Sequence, residues 1–235
     1  MGSGEKGYRR LLGKGFRVKV AQTDLWVCAP GGFRETVTVR VVEIRHQLER
    51  YMSRHRGFAE SLVPVEPLPG APEVVMRMCL AGARAKVGPM AAVAGTIAQM
   101  VGESLLPHLK EGAVENGGDL FLWGDGVKKV GIFGGDGASP RVAVEIGVNG
   151  HIGICTSSGK IGHSLSMGEA NAVTVICEDA SLADAWATAL ANMVKDEKSI
   201  ERVLKIAKEE GEITGAAVLF DGKIGAWGEL KLSTW

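Results

Sequence analysis

The hydrophobic period of this chain switches repeatedly between two residues and about 3.6, and the switches do not follow the strand–helix–strand alternation that builds a parallel sheet. Apolar alternation over Phe16–Ala29 reads as two short strands around Thr23-Asp24, followed by the turn Pro30-Gly31-Gly32. The period then lengthens. Phe33, Val37, Val41, Ile44, Leu48 and Tyr51 recur every three or four residues with Arg and Glu between them, so a helix is expected over 34–55 despite its β-branched residues. Further helices are expected over 72–85, 89–109, 181–195 and 198–209. Strands are expected near 141–148, 151–155 and 171–177, with hairpins over 119–133, turning at Gly124-Asp125-Gly126, and over 215–231, turning at Asp221-Gly222. This order predicts an α+β fold with a mainly antiparallel sheet packed with helices. The segments LFLWGDGVKKVGIFG and AVLFDGKIGAWG look alike and hint at an internal duplication. A single domain is expected; Pro64–Pro72, which holds four of the eight prolines, is where an internal boundary would fall.

Composition excludes several classes of function. With 46% hydrophobic and 23% charged residues the 235-residue chain is globular, and Lys+Arg and Asp+Glu both total 27. A chain of zero net charge has no broad basic field for nucleic acid or anionic lipid, so a discrete small-molecule site is expected instead. Cys28, Cys79, Cys155 and Cys177 lie far apart with no CxxC pair, which argues against both a zinc knot and a disulfide framework. The amino end carries no apolar run of secretory length, so a cytoplasmic location is expected. Val87–Leu106 is the one stretch with membrane-like hydropathy, but Gln99, Glu103 and four glycine or proline interruptions mark it as a buried helix.

Four segments concentrate small residues and oxygen ligands. In Val87–Gly95, Pro89 suits a first helical turn and the alanines and glycines around Gly88 and Gly95 leave the helix start nearly bare. A phosphate can approach such an end, and so can another helix. Glu115–Asp119 reads as Asn116-Gly117-Gly118-Asp119 ahead of a strand, where Asn116 and Asp119 either hydrogen-bond a ligand or simply form a turn. In Ser181–Asn192, Asp184, Thr188 and Asn192 fall at i, i+4 and i+8 on one face. A carboxylate and a hydroxyl so placed can hold Mg²⁺; alternatively Ser181 and Asp184 form a capping box and Thr188 bonds its own backbone. Lastly, Thr156, Ser157, Ser158 and Gly159 form a polar run with Lys160 as counter-charge, suited to a phosphate or ribose, and His163 follows as an acid/base or as a histidine satisfied by neighbouring hydroxyls.

Together these segments resemble the ApbE-like proteins, whose characterised members are FAD:protein FMN transferases. Asn116-Gly-Gly-Asp119 is similar to that family's Asn-x-Gly-Gly-Asp segment, Thr156-Ser-Ser-Gly159 to its Thr-Ser-Gly loop, and His163 to the start of its His-Ile motif. Ala183-Asp184-Ala-Trp-Ala-Thr188-Ala-Leu190 matches its Ala-Asp-Ala-x-x-Thr-Ala-Leu helix. The likeness covers most of the chain in an uncharacterised branch of that superfamily, and implies an ApbE-like, T-fold-like architecture.

The resemblance further implies that Asp184 and Thr188 hold Mg²⁺ beside the diphosphate of FAD, with Asp184 and His163 in catalytic positions. Gly88, Asn116, Gly117, Gly118, Asp119, Thr156, Ser157, Ser158, Gly159, Lys160 and His163 would then surround the nucleotide. A Ser or Thr of an acceptor protein would receive FMN; a homo-oligomer stays open. Two departures stand out. Ser164-Leu-Ser-Met-Gly168 replaces the family's Asp-Pro-x-Thr-Gly, and Ala94 stands roughly where a lysine is expected. A flavin- or nucleotide-binding protein without transferase chemistry is therefore the alternative.

Overall fold

The computed structural model describes residues 14–132, 142–158 and 168–234. Among these lie nine strands and five α-helices. Two strands, β1 (Phe16–Val20) and β2 (Thr23–Cys28), precede helix α1 (Arg34–Arg54). Helix α2 (Glu73–Ala85) and a short 3₁₀ turn at Pro89–Ala92 lead into α3 (Val93–Glu103). Then follow β3 (Gly112–Asn116), β4 (Asp119–Ile132), β5 (Val142–Ser157), β6 (Ala172–Cys177), α4 (Ala180–Met193) and α5 (Ser199–Glu209). The chain closes with β7 (Ile213–Phe220), β8 (Lys223–Gly228) and β9 (Lys231–Thr234). Strands β1 to β8 pair in sequence order, every pair antiparallel, and β9 joins the first residues of β5.

The expected α+β class with an antiparallel sheet is the architecture found. Helix α1 forms as its apolar stripe predicts: Val37, Val41, Ile44, Leu48 and Tyr51 are its buried residues, and the β-branched run is accommodated because burial of the stripe outweighs a weak local preference. Residues on both sides of Pro64–Pro72 share one core, from Phe16 and Val41 to Leu190 and Val218.

The segment 119–133 corrects the expected hairpin. Gly124 and Gly126 adopt φ of +125° and +92°, yet β4 continues through them, with Gly124 opposite Gly150 and Asp125 opposite Asn149 on β5. The strands expected near 141–148 and 151–155 are likewise the single strand β5. Leu120, Leu122 and Ile132 of β4 join Val144, Ile146, Val148 and Ile154 of β5 in one cluster. The register is unbroken from Leu120 opposite Ile154 to Ile132 opposite Val142, so the positive-φ glycines lie within a continuous ribbon and do not reverse it. The hairpin at Asp221-Gly222 is present, so the two look-alike segments have different structures. Odd-numbered neighbours Phe121, Trp123 and Cys155 face the opposite side, which the helices cover.

Candidate functional site

The site forms where the β3–β4 turn meets α3 and α4. Gly117 and Gly118, at φ +72° and +122°, make the two-residue turn that sets Asn116 opposite Asp119. Directly opposed residues point to one face, and alternation from Val114 and Phe121 makes that the helix-covered face. The Asn116 side-chain amide donates to the Ala94 carbonyl at 3.1 Å, and the Gly118 N–H donates to the Glu115 carboxylate at 2.9 Å. Asp119 accepts from the Thr156 N–H at 3.3 Å, tying the turn to the end of β5.

Asp184 approaches the same place from α4. Its Oδ2 accepts the Gly95 N–H at 2.9 Å, so a side chain from one helix caps the next. A Cβ on Gly95 would lie 2.2 Å from the Ala180 carbonyl oxygen and 2.8 Å from the Asp184 Cβ. The bare helix start thus serves close α3–α4 contact. At Gly88 the space of a Cβ is filled by the Ser61 carbonyl, again from this chain. The capping-box alternative for Asp184 does not hold, because the α4 cap is Asp179, which accepts the Leu182 N–H at 2.9 Å. Ser181 Oγ is buried without a hydrogen-bond partner. Thr188 is 8% exposed, and its hydroxyl has no hydrogen-bond partner among the described residues; Thr96 on α3, by contrast, bonds the Ala92 carbonyl at 2.6 Å.

Asp119 and Asp184 are therefore both buried and close enough to interact electrostatically. Burial raises Asp119 to about 7, with the Glu115 charge adding to the rise and the Thr156 N–H and Cys155 thiol opposing it. Burial also pushes Asp184 well above the ordinary carboxylate range; repulsion from Asp119 adds to this, while the Gly95 and Ala94 N–H groups oppose it. Like charges in a low-dielectric site cannot both ionise cheaply, so the pair retains protons near neutrality unless a cation replaces them. Sequence spacing gave no signal for this pairing. It arises from contact between distant segments.

Ser157 follows Cys155 on the helix-covered face and is buried, whereas the Thr156 hydroxyl lies on the other face, 2.9 Å from that of Thr174. Ser158 ends the described stretch, and Gly159, Lys160 and His163 lie outside the described residues. Cys155 is an ordinary buried thiol: its Sγ contacts the Ala180 carbonyl at 3.3 Å, and burial pushes its pKa far up. Among the described residues no three His, Cys, Asp or Glu side chains group as metal ligands, and no helix is long and apolar enough to cross a membrane. The oxygen set of Asp119, Asp184 and Thr188 nonetheless fits a hard cation that takes its remaining ligands from water and phosphate.

The family model described as AbpE bacteria matches residues 9–219. A UPF0280 protein of Methanocella arvoryzae is 38% identical over 222 residues, covering 94% of this chain and 91% of its own. One from Archaeoglobus fulgidus is 38% identical over 203 residues, covering 84% of each chain. The apo flavinyl transferase ApbE of Pseudomonas stutzeri matches in structure with a TM-score of 0.59 at 16% identity, over 91% of this chain and 93% of its own. The flavin transferase ApbE of Vibrio cholerae matches with a TM-score of 0.58 at 13% identity, over 91% and 96%. At these identities the structural likeness is one of fold, while the family match and the close relatives show that the chain belongs to the AbpE bacteria family and to the UPF0280 proteins.

Proposed function

We propose that the protein binds FAD or a related nucleotide with Mg²⁺ and transfers FMN to a Ser or Thr of an acceptor protein. The observation that carries this reading is the buried pair Asp119 and Asp184 beside the unpartnered Thr188 hydroxyl. Two buried carboxyl groups that can exchange their protons for a cation, with a free oxygen nearby, favour a divalent ion, and Asp184 and Thr188 are the residues that would hold it. Mg²⁺ at this place supplies charge neutralisation for a diphosphate. In the transfer, the acceptor oxygen forms a bond to the FMN phosphorus and the bridging P–O bond breaks. AMP leaves with the electron pair, and the acceptor proton passes to His163. Asn116 and the Gly117-Gly118 turn would meet the nucleotide, with Ser157, Ser158, Gly159 and Lys160 supplying polar contacts.

One observation favours the alternative of binding without transfer. Where a lysine is expected, Ala94 has no charged side chain to offer, and its carbonyl is engaged by the Asn116 amide. Incubation with FAD, Mg²⁺ and candidate acceptors, followed by mass analysis, separates the two. Covalent FMN on the acceptor with release of AMP, both lost in Asp184→Asn, is the expected result. Stabilisation by FAD with Mg²⁺ but no transfer across several acceptors would leave binding alone.

A further inference from the structure

A cleft of about 590 Å³ lies apart from the carboxylate site, between α1 and the proline-rich segment. One wall presents His46, Arg50 and Arg54 at i, i+4 and i+8, hence in a row on one face of α1. The other wall is Leu68–Pro72, held to the helix by the Leu68 N–H, which donates to the Tyr51 hydroxyl at 3.1 Å. His55 packs against Tyr51 at a tilt of 51°, with ring centroids 4.3 Å apart. Among the described residues, no acidic side chain lines the cleft.

The charge in this row is not used internally. Arg50, Arg54 and the neighbouring Arg56 are the arginines whose side chains have no hydrogen-bonded or ion-paired partner among the described residues; the others each reach a carboxylate, amide, hydroxyl or backbone oxygen. In a chain of zero net charge, such a concentration of unspent cations is a local feature rather than a consequence of composition. Eight residues of helix rise about 12 Å, too far for one phosphate but within reach of linked phosphates. Guanidinium forks suit phosphate oxygens bidentately, and Leu68, Pro69 and Pro72 offer apolar surface to an organic portion.

We propose that this cleft is a second ligand site, which takes a small molecule carrying two or more linked phosphates. It operates independently of the carboxylate site. The test is calorimetric titration of the full chain with inorganic pyrophosphate and with ATP, both in excess EDTA so that no metal contributes. Saturable binding of at least one probe is expected, weakened about tenfold or more in Arg50→Ala/Arg54→Ala and unchanged in Asp184→Asn. Arg50 and Arg54 are exposed, so the double variant should melt with the parent; if it does not, Arg54→Gln alone carries the same test. No saturable binding up to millimolar concentrations overturns the proposal. So does binding that survives the arginine changes but is lost in Asp184→Asn, or tighter binding of RNA or polyglutamate than of either probe.

Discussion

Asp184 Oδ2 accepts the Gly95 N–H at 2.9 Å, so the carboxylate that resembles a metal ligand is also the cap of a neighbouring helix. The two roles separate by substitution. Asp184→Asn keeps an oxygen that can accept from Gly95 but removes a buried charge that repels Asp119. In EDTA at pH 8 this variant is expected to melt at or above the wild type; in millimolar Mg²⁺ with FAD the order should reverse. Asp184→Ala removes the cap as well and is expected to lose about 1 kcal/mol or more in either buffer. Equal response of wild type and Asp184→Asn to Mg²⁺ would remove Asp184 from the metal site.

Thr188 gives a cleaner separation of structure from function. Its hydroxyl has no hydrogen-bond partner among the described residues, so Thr188→Val removes no internal bond and keeps the shape. Stability without ligand should change by no more than about 1 kcal/mol, with replacement of a buried, unpartnered hydroxyl by a methyl tending to stabilise. Stabilisation by Mg²⁺ with FAD should fall sharply. Denaturant midpoints with and without the two ligands measure both effects.

Gly95 sets the spacing of α3 and α4. Gly95→Ala places a methyl 2.2 Å from the Ala180 oxygen, and backbone cannot yield as a flexible side chain does. Alanine's better helix propensity contributes in the other direction by less than about 1 kcal/mol. Overpacking of about 1–3 kcal/mol should win, giving a net loss in urea unfolding. A neutral or stabilised variant would show that the helices part freely, and with them Asp184 and Ala94.

Much of the fold was legible because it depends on local signals. The stripe on α1 and the Asp221-Gly222 turn are set by residues within a few positions of one another, and both appear as expected. Gly124-Asp125-Gly126 misled for a physical reason: glycines at positive φ can reverse a strand or bend it. Which occurs depends on the partner strand, here β5 with Gly150 opposite Gly124. The candidate site was legible as residue types and not as a circuit. That Asp119 and Asp184 share one buried environment, and that Asn116 reaches Ala94, follows from how the sheet and helices stack. Thr156 lies at the expected place in the chain, but strand alternation turns its hydroxyl to the opposite face, toward Thr174.

The pair also predicts how stability depends on pH. Burial first, and the Glu115 charge second, raise Asp119 in the folded chain to about 7 from 3.8. Between these values the folded state binds more protons than the unfolded state, so stability falls as pH rises. The favourable contribution of protonated Asp119 is complete below about pH 4 and is lost as pH rises through about 7. Asp119→Asn has nothing to ionise there, so its stability relative to wild type should improve steadily from pH 5 to pH 8. Most other groups titrate alike in both proteins and cancel in the difference; Asp184 does not, because loss of the Asp119 charge eases its ionisation and adds to the relative gain of Asp119→Asn. Millimolar Mg²⁺ should shrink the difference at pH 8 and leave it unchanged at pH 5, because the cation competes with the proton for the same oxygens. Urea midpoints for the two proteins at four pH values, with and without Mg²⁺, decide the matter. A flat difference would mean that Asp119 ionises as an ordinary exposed carboxylate, and the cation would lose the feature that draws it to this place.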